Sequence, residues 1–174
     1  MRKYGLTIVE LLIVIVVIGV LATISVVAYG GISTAAKNTA RINELVQWQK
    51  LFEVYRAQYG QLPPQLVTDQ SYCLGKGFPT GAGGLARCRD VNSTTTGYPQ
   101  SDADALMTEL STIASLPSGD RAAISGVAGP YATVRSYGLF LVGIFHGTEC
   151  PRPSKHDWTN ANGTVTLCSI SIAR

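Results

Sequence analysis

Cys150 and Cys168, together with His146 and His156, are the side chains that could most plausibly hold a zinc ion. The spacing speaks against it. His146 and Cys150 fit structural zinc sites poorly, no second cysteine lies close by, and using both thiols would leave Cys73 and Cys88 as the only bridge. A Cys150, His156, Asp157 nucleophilic triad fares worse, because adjacent side chains on a strand point to opposite faces; His156 and Asp157 read as loop residues beside Trp158. Gly81, Gly83 and Gly84 lack the Lys-Ser/Thr that completes a phosphate cradle and read as turn glycines. Arg87, Arg89, Arg121, Arg135, Arg152, Lys155 and Arg174 could gather into a nucleic-acid patch, although scattered, solvated arginines are the commoner outcome. Asn92-Ser93-Thr94 and Asn162-Gly163-Thr164 fit the glycosylation acceptor pattern. These residues point to no catalytic group, no metal and no cofactor, and the expectation is a protein that is not an enzyme.

The remaining oddity is Glu10. Charged residues make up only 14% of the 174 residues, against about 25% in an ordinary soluble protein. Residues 11–36 contain no Asp, Glu, Lys, Arg or His. A helix needs about 20 apolar residues to cross a hydrocarbon core, and residues 6–28 supply that length with Glu10 as their one charge. A carboxylate there costs about 2.5–3.5 kcal/mol on insertion scales, which asks for a function and a partner; the plainer alternative is that Glu10 snorkels to the headgroups. A secretory signal would have a shorter apolar region followed by a small-residue cleavage site, and Leu21, Ala22 and Thr23 offer a poor one. Arg2 and Lys3 precede the span and the next cation is Lys37, which predicts an N-terminus in the cytoplasm and the body of the chain outside.

Gly5, Leu6, Thr7, Ile8, Val9 and Glu10, preceded by Arg2 and Lys3 and followed by the uncharged run, resemble the N-terminal signature of type IV pilins and pseudopilins. The resemblance implies a membrane peptidase that cuts after Gly5 and methylates the new N-terminal Leu6. Members commonly carry Phe where Leu6 stands and often Pro where Val27 stands; Gly19 matches the family. The mature α-amino group has a reference pKa of about 7.7–8.0 and stays able to carry a positive charge once methylated. Glu10 of a neighbouring subunit could neutralise it, setting axial register inside an apolar bundle where either charge alone is costly. The resemblance thus implies a homopolymer built with a pilus assembly platform, serving adhesion, motility or DNA uptake. A pseudopilin of a secretion machine or a minor pilin shares every one of these features. The third reading is a membrane enzyme or zinc-binding receptor on an uncleaved anchor.

The four cysteines, Cys73, Cys88, Cys150 and Cys168, all fall on the predicted extracytoplasmic side, where an even count argues for disulfides. Three pairings are possible. Cys73 with Cys88 and Cys150 with Cys168 is the expected one, since each closes a modest loop; a loop of about 15 residues is worth roughly 3 kcal/mol. The second loop would resemble the C-terminal disulfide-bounded region of many pilins.

The elements that must position these groups follow from periodicity. Leu45, Trp48, Phe52, Tyr55 and Tyr59 recur at steps of three and four, flanked by Ile42 and Leu51, while Asn43, Glu44, Gln47, Gln49 and Lys50 interleave as polar positions. Gly60 followed by Pro63 and Pro64 ends that helix. Residues 74–84 and 92–100 read as loops, and Ser101 with Asp104 as a capping box for a helix carrying Leu106, Leu110 and Ile113 that stops near Pro117. Residues 131–137, 139–145 and 164–172 read as three strands, with a phase slip near Cys168. The expected fold is α+β: a long N-terminal helix, apolar in its first half, packed on a small antiparallel sheet, as the pilin resemblance also implies. Its parts are a leader over residues 1–5, a membrane or filament-core helix over 6–30, its amphipathic continuation over 31–60 and an extracytoplasmic globular domain over 61–174.

Overall fold

The computed structural model describes residues 7–81, 84, 86–92 and 103–173, with the side chains of residues 26–28 left aside. Gly5, Leu6, Gly83, Ser93, Thr94, Ser101 and Arg174 lie outside the described residues. The fold is the expected α+β arrangement, a long N-terminal helix followed by a small antiparallel sheet. Helix α1 is continuous over Ile8–Tyr59, through Gly19, Val27, Gly30 and Gly31. The chain divides into two compact units, Met1–Lys37 and Asn38–Arg174.

In the second unit the predicted stripe is the buried face of α1. Ile42, Leu45, Trp48, Leu51, Phe52 and Tyr55 are all buried, whereas Tyr59 departs from the expectation, being 49% exposed and tilted against Tyr55 at 4.5 Å between ring centroids. Gly60, at φ 73°, closes the helix by donating its amide to the Arg56 carbonyl at 2.8 Å. A side chain with a Cβ would be strained in that left-handed conformation. Arg56 itself reaches the Ala173 carbonyl just beyond the last strand.

The sheet has five strands where three were expected. They are β1 (Ser71–Cys73), β4 (Tyr131–Arg135), β5 (Gly138–His146), β7 (Val165–Ile172) and β6 (Lys155–Thr159), in that spatial order, with β2 (Arg89–Asp90) and β3 (Val127–Ala128) forming a separate pair. All pairings are antiparallel. Leu139, Leu141 and Phe145 of β5 join Ile170 and Ile172 of β7 and Ala132 and Val134 of β4 in the core shared with α1. Val142 packs on the opposite face with Cys73, Phe78, Cys88, Val91 and Tyr131, and Ile144 packs there with Ile124 and Val165. Burial on both faces explains why β5 is an uninterrupted apolar run rather than an alternation. It also removes the expected slip near Cys168. Strand β7 is unbroken, Cys168, Ile170 and Ile172 facing α1 while Val165 and Leu167 face the second cover.

Strand β6 corrects the reading of His156 and Asp157 as loop residues. It is an exposed edge strand that pairs His156 with Cys168 and Trp158 with Leu167, leaving Asp157 as an extra residue in a bulge. Helix α2 (Asp104–Ser111) is shorter than expected, and Ile113 lies beyond its end. Its N-cap is Ala103, with no side-chain cap. Leu106, Met107 and Leu110 carry it into the main core, and Tyr55 of α1 donates to Glu109 Oε1 at 2.7 Å.

The interleaved polar positions of α1 are not all solvated. Glu44 and Arg41 are 4% and 7% exposed. Arg41 donates to Asp120 Oδ2 at 2.8 Å, to the Ala122 carbonyl at 3.1 Å and to the Ile144 carbonyl at 3.0 Å. Glu44 Oε1 accepts from Arg121 at 2.6 Å and from Trp48 Nε1 at 3.2 Å. The Arg121 guanidinium lies 5.3 Å from the Phe78 ring centroid. Gly119 is what lets the loop come this close, because a Cβ there would stand 2.1 Å from Glu44 Oε2.

Breaking one side of a buried pair leaves an uncompensated charge, at a cost of about 3–5 kcal/mol, whereas replacing both sides with apolar groups is often neutral. Glu44→Leu alone is therefore expected to lower the urea unfolding midpoint of the full chain markedly, and Glu44→Leu with Arg121→Met to recover most of it. A second expectation concerns alkaline pH. The Tyr55 phenol is raised from 10.0 to about 12 by its hydrogen bond to Glu109, and the Tyr131 phenol is likewise raised to about 12, chiefly by burial. Both raised values mean that the folded state holds its protons longer than the unfolded chain. Their contribution is complete below about pH 10 and is lost as pH rises toward about 12. Stability measured by denaturant titration is expected to fall over that window, and Tyr55→Phe to flatten the fall.

Candidate functional site: an apolar helix with one acid at its start

The first turn of α1 is closed by its own side chains. Thr7 donates its backbone amide and its hydroxyl to Glu10 Oε2, both at 2.8 Å, and Thr7 Oγ1 accepts the Glu10 amide at 3.3 Å. Leu11 donates its amide to the Thr7 carbonyl at 3.2 Å. This is a capping box, in which the N-cap threonine and the acid three residues on satisfy each other's amides. The sequence held that signal in the order Thr7, Ile8, Val9, Glu10, yet reading Glu10 as a partner for another subunit passed over it.

After that turn the helix is apolar all round. The large apolar side chains at positions 8–24 are between 49 and 84% exposed, so no described part of the chain covers them. The helix is long and apolar enough to cross a membrane, with a mean hydropathy of 3.1 over its most apolar window. Thr23, Ser25 and Thr34 fold their hydroxyls back onto the carbonyls of Val20, Leu21 and Gly30, which removes polar atoms from this surface. An apolar face this extensive marks a membrane or protein contact.

The other chemically capable residues are arranged differently. Cys73 is bonded to Cys88 and Cys150 to Cys168, with S–S distances of 2.05 Å in each. The two bridges sit on opposite faces of the sheet, Cys73 and Cys88 in the cluster remote from α1 and Cys168 in the core beneath α1 with Cys150 packed against it. A zinc site or a thiol triad at Cys150 would need a sulfur that the bridge has consumed. Among the described residues, no group of three or more His, Cys, Asp or Glu could hold a metal ion. His146 and Asn38 are joined by two backbone contacts, the Asn38 side chain donating to the His146 carbonyl and accepting its amide, both at 2.9 Å.

Of the seven cations of the suggested nucleic-acid patch, Arg174 lies outside the described residues and the other six do not form one surface. Arg87 and Arg121 are buried at 4% and 8% exposure, which corrects both the patch and the reading of these arginines as solvated. Arg135 is paired with Asp69 at 3.3 Å. Asn162 of the second glycosylation pattern is exposed in the β6–β7 turn. Asn160 holds that turn by accepting the Thr164 and Val165 amides at 2.9 and 3.0 Å.

Removing the capping hydroxyl tests the first turn. Thr7→Val is expected to cost the N-terminal turn about 1 kcal/mol, seen as faster amide hydrogen exchange at Val9 and Glu10 in micelles with exchange in the Asn38–Arg174 unit unchanged.

Neither a curated protein nor a solved structure matches the chain. Residues 1–26 match the family model of the prokaryotic N-terminal methylation motif. The match covers Arg2, Lys3, the Gly5-Leu6 junction and the capped turn at Thr7 and Glu10, together with most of the exposed apolar run. The chain therefore carries the type IV prepilin signature, that of a pilin- or pseudopilin-type substrate of a prepilin peptidase.

Proposed function

We propose that this chain is the structural subunit of a type IV pilus-like filament. The supporting observation is the pairing of the methylation motif over residues 1–26 with a helix whose large apolar side chains at 8–24 are exposed. In this reading the precursor sits in the cytoplasmic membrane with Arg2 and Lys3 inside and the rest of the chain beyond Lys37 outside. A prepilin peptidase cuts after Gly5, removing residues 1–5, and Leu6 becomes the methylated N-terminus. The assembly platform then moves residues 6–30 from lipid into a bundle of identical helices, with 31–60 as the amphipathic continuation and 61–174 as the extracellular domain. The amide and hydroxyl of Thr7 both contact Glu10 Oε2, fixing the carboxylate that meets the methylated amine of the next subunit. The capped turn holds the acid in place before a second copy arrives. Adhesion or motility suits the surface better than DNA uptake, since Arg87 and Arg121 are withdrawn into the interior.

The test is the mass of the chain from cells together with the fate of Glu10→Ala. Maturation is expected to remove residues 1–5 and add one methyl, and Glu10→Ala to be inserted and processed yet absent from sheared surface fibres. A cellular form that keeps its first five residues, in cells whose surface fibres lack the chain, overturns the reading.

A further inference from the structure

The face of the sheet turned away from α1 carries a groove. Two cavities of about 480 and 230 Å³ lie side by side there and share Arg89, Tyr131 and Asp157. The larger adds Trp158 and Asp90; the smaller adds Thr133, Ser169 and Tyr137. These volumes lie near the range of roughly 300–1,000 Å³ in which small ligands are bound. Trp158 and Tyr137 are 49% and 75% exposed, although aromatic rings are ordinarily covered where packing can cover them. Tyr137 is held edge-on against Phe140 at 5.4 Å between centroids.

The two charged residues at the centre are presented by irregular backbone. Asp157 is the extra residue of the β6 bulge, and bulges re-aim side chains. Arg89 sits at φ 68°, a left-handed conformation that side chains with a Cβ rarely adopt. The ordinary backbone alternatives at either position would aim these groups elsewhere. Both act on the phenol at the groove floor, Arg89 lowering and Asp157 raising the Tyr131 pKa beneath the larger effect of burial.

We propose that this groove binds a short neutral oligosaccharide, one sugar face stacked on Trp158 and its hydroxyls shared between the Asp157 carboxylate and the Arg89 guanidinium. A pyranose offers an apolar C–H face and a rim of hydroxyls that both donate and accept, which is what an exposed indole beside a carboxylate acceptor and a guanidinium donor can satisfy. Two carboxylates, Asp157 and Asp90, and two guanidiniums, Arg89 and Arg135, line the groove, a balanced charge that suits a neutral ligand better than the repeated phosphates of a nucleic acid. Thr133, Ser169 and Tyr137 extend the hydrogen-bonding surface for a second sugar unit. All its residues lie within Asn38–Arg174, so binding can be read on unassembled chains.

The test uses the full chain in a sugar-free zwitterionic detergent, titrated with chitotriose, cellotetraose, maltotetraose and lacto-N-tetraose by calorimetry, with tryptophan emission as the locator. Trp48 is fully buried while Trp158 is half exposed, so a saturable emission shift reports on Trp158. At least one sugar is expected to bind saturably. Binding heat is expected to vanish in Trp158→Ala, persist in Trp158→Tyr and weaken about tenfold in Asp157→Asn, corresponding to about 1.4 kcal/mol. Thermal unfolding should be unchanged in all three. No saturable heat with any of the four sugars overturns the proposal, as does full binding by Trp158→Ala. Tighter binding of a short oligothymidylate than of every sugar assigns the groove to nucleic acid instead.

Discussion

The first half of α1 leaves its apolar surface exposed and must bury it in something else, and this constraint governs the N-terminal part of the molecule. Over positions 8–24 the side chains are those of a protein interior, yet they are exposed. Water is the one environment in which such a surface is costly, at roughly 25 cal/mol per Å². Lipid and a bundle of identical helices are both acceptable, and they differ little in apolarity. Hydrophobicity can therefore retain the subunit in either place but cannot choose between them. That choice needs a polar feature, and among the described residues of positions 7–24 Glu10 is the one ionisable group. Its capping contact with Thr7 satisfies the acid provisionally in the isolated chain.

The second unit meets the opposite problem, a sheet with more apolar surface than one helix can cover. Helix α1 takes one face, with Leu45, Trp48 and Phe52 against Leu139, Leu141 and Phe145. The loop structure tied by Cys73–Cys88 takes part of the other. The loop across Asp120 and Arg121 is fixed to α1 by two ion pairs, Arg121–Glu44, which is buried, and Arg41–Asp120, whose carboxylate is partly exposed. Such pairs add little net stability, but they tolerate few alternative geometries.

Much of this was legible in the sequence because burial imposes a period. The aromatic stripe of α1, the apolar run of β5 and the Gly60 stop each reflect a local rule that the tertiary structure obeys. Strand β6 was not legible: Lys155, His156, Asp157, Trp158 and Thr159 are largely exposed, so pairing with β7 is their main constraint, and pairing leaves no mark on composition. The burial of Arg41 and Glu44 was hidden for a related reason, since charges interleaved on an amphipathic helix look solvated until the loop that neutralises them is placed. The Thr7–Glu10 capping box is a local signal in the order Thr7, Ile8, Val9, Glu10, and the same acid also fits an intersubunit role, so the sequence alone does not separate the two. The groove around Asp157 arises from a bulge and a left-handed residue, which a strand pattern does not specify.

The two bridges also bear on how the domain would answer a mechanical pull. Cys73–Cys88 and Cys150–Cys168 enclose sequence separations of 15 and 18 residues, and at about 3.4 Å per extended residue these segments hold roughly 100 Å of chain out of the load path. A subunit stretched between its ends could unravel its strands and still keep both enclosed segments short. In a fibre under tension, the covalent cross-links would cap the extension of each link in the series, a limit that non-covalent packing cannot set.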